Sequence, residues 1–218
     1  STFGSNPMCI FTAISLPRSY NTSDFEKIAD GFKKALIEYE VFLAGGDITS
    51  HLGLPIFSIT ALGERGNSKL GRNKAKEGDL IVVSGSIGDS FIGLKLLNDK
   101  NLIINFQEDE ILINNFLIPN PKIELGKSIK NFATSIIDIS DGLLSELNHI
   151  CTNSGVGAEI YINDIPFSPA AKKYIESKTF SDLELITGGD DYELLYTIDP
   201  KDINLLDQSS YIIGKIMD

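Results

Sequence analysis

The stretch Ser135-Ile136-Ile137-Asp138-Ile139-Ser140-Asp141-Gly142-Leu143-Leu144 contains a strand, a turn and the start of a helix. Ser135–Ile139 is rich in β-branched residues, which favours a strand, and the glycine that follows the second aspartate favours a tight turn. From Leu143 onward, apolar residues recur at helical spacing. Two carboxylates, Asp138 and Asp141, therefore stand where a strand passes into a helix, a connection on which ligand sites are often built.

The rest of the chain shows the same mixture of short strands and amphipathic helices. A Ser-x-x-Glu capping box from Ser23 to Glu26 predicts where the first helix begins. Strands are predicted at 9–16, 41–44, 55–62, 80–84, 158–162, 192–198 and 211–216, and helices at 23–40, 89–97, 111–117, 123–132 and 143–151. Strands and helices do not alternate strictly, so we predict an α+β protein whose mixed sheets pack against helices.

One segment differs in composition from its neighbours. Residues 63–78 are polar, glycine-rich and basic and lack the apolar spacing of a core element, which is typical of a linker. We therefore predict an N-terminal domain at 1–63, a linker at 64–78 and a C-terminal α+β domain at 79–218.

Composition narrows the class of function. The chain has 218 residues, 42% of them hydrophobic, and 19 Lys and Arg against 30 Asp and Glu give a net charge of −11. This excess of acid argues against binding to nucleic acid or to an anionic membrane. The chain contains no apolar run of about 18 residues, and Ser1–Pro7 shows no signal-peptide pattern. A cytoplasmic protein is expected.

Several motifs that could carry chemistry are incomplete. Gly88–Lys95 resembles a P-loop but lacks its Gly-Lys-Ser/Thr ending, so a tight turn before a helix is favoured over a phosphate cradle. Two cysteines and two histidines lie far apart in sequence, which argues against a thiolate zinc site and a disulfide scaffold. They are Cys9, Cys151, His51 and His149. No nucleophilic residue is assigned.

The acidic residues are more informative. Gly-Gly-Asp occurs twice after apolar residues read as strands, at Gly45–Asp47 and Gly188–Asp190, and further acids stand near predicted strand ends. These acids are Asp47, Asp138, Asp141, Asp190, Asp191 and Glu193. Hard carboxylate oxygens suit Mg²⁺, which is commonly shared with phosphates. Singly, each acid fits a turn or a helix cap, but together they favour a metal–phosphate site.

An ordered set of motifs resembles the thiamine-monophosphate kinases of the aminoimidazole ribonucleotide synthetase-like superfamily. The matching segments are Gly45–Ser50, Arg72 with Ala75–Asp79, Gly85–Leu94, Asp138–Leu143, Ser154–Ala158 and Gly188–Leu195. They run through nearly the whole chain. The pair Asp-Ile-Ser-Asp-Gly-Leu and Gly-Gly-Asp-Asp-Tyr-Glu-Leu is the part that separates this family from its superfamily relatives.

The resemblance implies the two-domain fold of that superfamily and direct transfer of the ATP γ-phosphoryl group to thiamine phosphate, with several Mg²⁺ ions. It also implies a homodimer formed through the N-terminal domain. By motif position, the implied ATP-binding residues are Gly46, Asp47, Arg72 and Ser140, the implied metal ligands are Asp47, Asp138 and Asp141, and the implied substrate-binding residue is Asp190.

The sequence departs from the family pattern in three places. Asp190 stands where the family usually has Glu, which shortens the side chain by one methylene. The chain also lacks the family's N-terminal metal-binding acids and its C-terminal segment, so both domains are expected to be incomplete. Two alternatives stay open: a selenophosphate synthetase-like enzyme of the same superfamily, and a non-catalytic nucleotide-binding module.

Overall fold

The computed structural model describes residues 2, 4–65, 70–102 and 106–218. They form two compact units, one at 5–66 and one at 67–218 that also takes in residues 1–4. The predicted linker at 64–78 falls partly outside the described residues, and its bounds stay a prediction. Its second half nevertheless packs onto the larger unit, where Leu70 and Ala75 are buried in the core.

The smaller unit is a three-stranded sheet with one helix. Its elements are β1 (Asn6–Pro17), α1 (Thr22–Glu38), β2 (Phe42–His51) and β3 (Ile56–Glu64). The strand order is β2-β1-β3, with β1 parallel to β2 and antiparallel to β3. The central strand β1 carries the buried side chains of this unit, which are Cys9, Thr12, Ile14 and Leu16.

Two predictions for this unit are wrong in detail. Helix α1 begins after Asn21, whose side chain accepts from the N–H groups of Ser23 and Asp24, while the Asp24 carboxylate accepts from the N–H of Asn21. The capping box therefore starts two residues before the predicted Ser23. Strand β2 also continues past Ala44 to His51, so the first Gly-Gly-Asp motif lies inside a strand and not after one.

The larger unit is a five-stranded antiparallel sheet with helices. Its strand order is β5-β7-β4-β8-β6. The strands are β4 (Leu80–Val83), β5 (Ala133–Asp138), β6 (Gly157–Ile160), β7 (Leu194–Ile198) and β8 (Tyr211–Met217), and the helices are α2 (Asp89–Asn98), α3 (Phe106–Leu117), α4 (Ile123–Ile129), α5 (Leu143–Ser154), α6 (Pro169–Glu176) and α7 (Asp182–Thr187). The α+β class is thereby confirmed.

The core of this unit consists of three clusters of buried apolar residues. The cluster that supports the predicted site contains Ile137 from β5, Ile139 directly after it, Leu143 and Leu147 from α5, and Ile186 from α7. The residues before and after the turn between β5 and α5 are buried, and they hold this turn at the surface of the unit. Within the described residues, no helix is long and apolar enough to cross a membrane.

Helices α6 and α7 were not predicted, and α7 corrects the interpretation of the second Gly-Gly-Asp motif. The motif follows a short helix, because Ser181 and Glu184 form a capping box that begins α7. The next strand, β7, starts only at Leu194, two residues later than predicted. The two Gly-Gly-Asp motifs therefore occupy different local structures, and their similarity is not a structural repeat.

Candidate active site

The turn between β5 and α5 presents the predicted acids at one edge of the sheet. Asp138 is the last residue of β5 and is half-buried, and Asp141 lies in the turn and is exposed. The turn closes at Gly142, which has φ of 98°. A Cβ there would lie 2.6 Å from the carbonyl oxygen of Thr187, so the turn approaches α7 too closely for any other residue.

The second motif loop is bonded directly to this turn through the backbone. Asp190 N–H donates to the carbonyl of Ser140 at 2.9 Å, and Tyr192 N–H donates to the carbonyl of Ile139 at 2.8 Å. A Cβ on Gly189 would lie 2.3 Å from the Ser140 oxygen. Two motifs that are about fifty residues apart in sequence are thus brought together, and we call residues 138–141 and 188–193 the clamped loops.

The clamped loops hold two non-glycine residues in the left-handed region, Asp190 at φ 67° and Tyr192 at φ 52°. Such conformations cost free energy and are often found at functional sites. The Tyr192 hydroxyl donates to Asp190 Oδ1 at 3.3 Å. Burial raises the pKa of Tyr192, and the charge of Asp190, its hydrogen bond and the charges of Asp138 and Asp141 raise it further. The charges of the predicted metal and substrate acids therefore act on one phenol, which the sequence analysis had not selected.

Asp191 and Glu193, although grouped with the site acids by sequence, have other bonding partners. The Asp191 carboxylate accepts from the N–H groups of Gly88 at 2.8 Å and Ser90 at 3.3 Å. It therefore occupies the N-terminus of α2, where the P-loop-like segment would have offered N–H groups to a phosphate. Glu193 accepts from the Ser84 hydroxyl and pairs with Lys122 at 2.9 Å.

The surroundings of Asp191 favour its neutral form. Burial raises the pKa of Asp191 to about 8, the bonds from Gly88 and Ser90 oppose the rise, and the charges of Asp89 and Glu193 add to it. Burial also raises the pKa of Asp89, which accepts from Ser168 and Asn115. These carboxylates line a cavity of about 360 Å³ within the larger unit.

The other predicted ATP-site residues lie in different places. Asp47 is exposed on β2, opposite Ala13 of β1, and Gly46 is required because a Cβ there would lie 2.4 Å from the Thr12 carbonyl. Both belong to the smaller unit. Arg72 is exposed on the larger unit, in a segment bonded to β5 through the Gly71 carbonyl and the N–H of Ile136. The convergence of Asp47 with Asp138 and Asp141 stays a prediction.

The donor set of the clamped loops fits Mg²⁺. Among the described residues, no group of three or more His, Cys, Asp or Glu side chains is placed to hold a metal ion. Mg²⁺ is usually bound by one or two carboxylates and completes its shell with water and phosphate oxygens. Asp138 and Asp141 supply two carboxylates of this kind, so the site suits a metal that arrives with a nucleotide.

Two family descriptions together match nearly the whole chain. Residues 1–65 match the family described as AIR synthase related protein, N-terminal domain, and residues 76–216 match its C-terminal domain. Thiamine-monophosphate kinase from Buchnera aphidicola subsp. Schizaphis graminum is 37% identical over 206 residues, 94% of this chain and 63% of that protein. The enzyme from Escherichia coli K12 is 34% identical over 91% of this chain and 60% of its own length. The chain thus spans about 60% of the length of these relatives.

Solved structures show the same relationship. AaThiL complexed with AMPPCP and TMP has a TM-score of 0.89 at 30% identity, over 99% of this chain and 69% of that one. Thiamine-monophosphate kinase from Stenotrophomonas maltophilia has a TM-score of 0.89 at 31% identity, over 100% of this chain and 71% of that one. HypE in the HypE-HypF complex shares the fold alone, at 18% identity and a TM-score of 0.82. The chain belongs to the thiamine-monophosphate kinase family of AIR synthase related proteins.

Proposed function

We propose that this chain catalyses ATP-dependent phosphorylation of thiamine phosphate to thiamine diphosphate, assisted by Mg²⁺. The observation that carries the proposal is the pair of clamped loops, which place Asp138, Ser140, Asp141 and Asp190 at one edge of the sheet. AaThiL, 30% identical to this chain, has been solved in complex with AMPPCP and TMP. We carry the nucleotide and acceptor classes over from that protein to this chain.

The residues divide between the nucleotide and the acceptor. Asp138 and Asp141 hold Mg²⁺, with Asp47 as a further ligand, and Arg72 contacts the ATP phosphates as a fixed cation. Bound Mg²⁺ neutralises the charge that develops on the transferred phosphoryl group. Gly46 and Ser140 contact the nucleotide, and the acceptor binds beside Asp190.

The acceptor side depends on the Asp190–Tyr192 pair. Asp190 is one methylene shorter than the Glu that the family pattern carries, and its carboxylate is oriented by the Tyr192 hydroxyl. Transfer is direct from ATP to the phosphate of the acceptor. The chain's contribution is then orientation and charge neutralisation, with no covalent intermediate on the protein.

The direct test is formation of ADP and thiamine diphosphate from ATP and Mg²⁺, with thiamine phosphate present, replaced by thiamine, or omitted. We expect both products only with thiamine phosphate. ADP formation that ignores the acceptor would contradict the proposal. A non-catalytic module would bind AMPPCP without turnover, and a selenophosphate synthetase-like enzyme would form no thiamine diphosphate.

We further propose that the smaller unit pairs with a second copy of the chain. Its edge strand β3 exposes Ile56, Phe57, Ile59 and Leu62, with exposed fractions between 44% and 57%. These side chains lie on both faces of the edge strand, and exposed apolar edge strands favour pairing with a further chain. Light scattering should give a dimer that Ile59→Lys dissociates, whereas Leu183→Lys, at an exposed apolar position of the larger unit, should leave it intact. A dimer that survives Ile59→Lys would contradict the assignment.

We also propose that the protein works in the reducing cytoplasm. Cys9 and Cys151 are both free thiols, and burial raises the pKa of the Cys151 thiol, which makes it less reactive.

A further inference from the structure

Beneath the turn that carries Ser140 and Asp141 lies a buried carboxylate that the proposed chemistry does not use. Glu146 lies in the first turn of α5, and only 3% of its surface is exposed. Carboxylates are rarely buried to this degree unless they are paired or hydrogen-bonded. None of the ion pairs found among the described residues includes Glu146. Its role therefore has to be read from its hydrogen bonds.

Both of its side-chain hydrogen bonds go to the turn. Glu146 Oε1 accepts from the Ser140 hydroxyl at 3.1 Å and from the Asp141 N–H at 3.2 Å. Because one oxygen accepts from two consecutive residues of the turn, Glu146 fixes the position of the turn. The backbone carbonyl of Ser140 also accepts from the Asp190 N–H. Both oxygens of Ser140, the hydroxyl and the carbonyl, are therefore hydrogen-bonded.

The hydroxyl geometry also determines what Ser140 can offer to a ligand. Its single proton points to Glu146, so only its lone pairs are available on the other side. Ser140 therefore presents an acceptor, which suits a metal-bound water or a nucleotide N–H. It does not suit a bare phosphate oxygen, which is itself an acceptor.

We propose that Glu146 is a positioning residue, which rests on the function proposed above: its buried carboxylate orients Ser140 and Asp141 so that Asp138 and Asp141 can share Mg²⁺ with a nucleotide. Groups that orient metal ligands typically change metal affinity when removed, without touching the metal. If Glu146 is purely structural, as a favourable carboxylate in the first turns of a helix, its removal lowers stability only.

Asp79 provides a matched control, because it contacts the start of β5, whereas the turn with Ser140 and Asp141 follows the end of that strand. Asp79 is 5% exposed and accepts from the Lys76 N–H at 3.0 Å and from the Thr134 hydroxyl at 2.6 Å. Thr134 lies near the start of β5, whereas Asp138 ends it. Replacing Asp79 thus removes a buried, hydrogen-bonded carboxylate of the same unit without altering the clamped loops.

The test is a titration of Mg²⁺ into the protein with AMPPCP, which needs no turnover, combined with thermal melts in the absence of metal. Glu146→Met should weaken apparent Mg²⁺ affinity by about tenfold or more, the range typical of groups that orient metal ligands. Glu146→Gln keeps an acceptor oxygen in place and should stay within about threefold of the wild type. Asp79→Asn should lower the melting temperature and leave Mg²⁺ affinity within about twofold.

The outcomes separate this proposal from the proposed function. Equal Mg²⁺ affinity in Glu146→Met and wild type, with only the melting temperature changed, would overturn the positioning role. If Glu146→Met does not fold, Glu146→Asp takes its place. It keeps the carboxyl group but shortens the side chain by one methylene, and unchanged affinity in it would also overturn the role. Wild type that binds Mg²⁺ with AMPPCP but forms no thiamine diphosphate would contradict the proposed function. The Mg²⁺ titrations of the Glu146 variants would still decide the positioning role. Absence of Mg²⁺-linked AMPPCP binding in wild type would contradict both.

Discussion

The two units of this chain use similar elements to different ends. In the larger unit, helices cover the sheet and three apolar clusters are buried. In the smaller unit, every residue of β3 is exposed and α1 has no buried residue. A sheet in which only the central strand β1 buries side chains gains less of the free energy that burial normally supplies. The comparison indicates that the larger unit is stabilised by its own core, whereas the smaller unit needs a covering surface.

The predicted site acids of the two units also lie in different kinds of local structure. Asp47 projects from the interior of β2, where the neighbouring strand sets its position. Asp138 ends β5, and Asp141 and Asp190 lie in the clamped loops, which backbone hydrogen bonds join to each other. The larger unit thus carries its candidate site residues at a strand end and on loops above a buried core, which is a common arrangement for binding residues. The predictions below test both contrasts.

The largest effect is expected at the metal ligands. Asp138→Asn should lower turnover by about three orders of magnitude, because a bound metal supplies several kcal/mol of charge stabilisation. The metal-free protein should be no less stable, since a repulsion between carboxylates has been relieved. Steady-state rates and melts without Mg²⁺ measure both effects.

Asp47→Asn tests whether the smaller unit shares this site. A loss of turnover similar to that of Asp138→Asn would show that both units supply ligands. Turnover near wild type would confine the metal site to the larger unit. A destabilised but active Asp138→Asn protein would instead mean that Asp138 is a structural turn residue.

The contrast in burial predicts unequal costs for the same truncation. Ile137→Ala removes a side chain that is 1% exposed, so it should lower the free energy of unfolding by about 2–5 kcal/mol. Ile59→Ala, at a position 53% exposed, should cost about 0.5 kcal/mol or less in dilute protein. Urea denaturation of both variants at several protein concentrations measures this. A loss of unfolding free energy in Ile59→Ala that grows with protein concentration would show that a second copy covers β3. Equal losses in Ile59→Ala and Ile137→Ala in dilute protein would contradict the proposed difference between the two units.

A smaller effect is expected on the acceptor side. Asp190→Ala should raise the Michaelis constant for thiamine phosphate and leave that for ATP within about twofold, the pattern of lost uniform binding. Tyr192→Phe should act in the same direction but less, because it removes only the hydroxyl that orients Asp190. Initial rates with each substrate varied in turn provide the measurement. An equal rise for both substrates would contradict the role of Asp190.

The smallest effect concerns pH. Because the pKa of Asp191 is raised to about 8 in the folded protein, the folded state binds a proton that the unfolded state has lost above about pH 4. The contribution of Asp191 to stability is full below about pH 4 and is lost as the pH rises through about 8. Melting temperatures between pH 6 and 9 should therefore fall more in wild type than in Asp191→Asn. Asp89, whose pKa is also raised, should leave part of the slope in the variant. Identical slopes would show that Asp191 is ionised throughout.

Much of the fold could be predicted because its signals are local. The strand, the turn at Gly142 and the helix from Leu143 are encoded within about ten residues. The helix begins where it was predicted, and the strand predicted at 135–139 is found at Ala133–Asp138. Predictions failed where a partner distant in sequence decides the conformation. The strand predicted at 41–44 continues to His51 because β1 pairs with it throughout. The second Gly-Gly-Asp is a different case, because it follows a helix whose capping box at Ser181 and Glu184 is a local signal that the sequence analysis missed.

The sequence by itself determined the α+β class, the order of most elements, the family and the acids Asp138, Asp141 and Asp190 as candidates, since each depends on residue type and short spacing. Only the tertiary structure decided which acids stay available to a ligand. Asp191 occupies the N-terminus of α2 through a bond to Gly88, 103 residues away. Tyr192 lies beside the turn that follows β5 because its N–H donates to the carbonyl of Ile139. A carboxylate's function depends on its partners, and partners so distant in sequence are brought together only when the sheet forms.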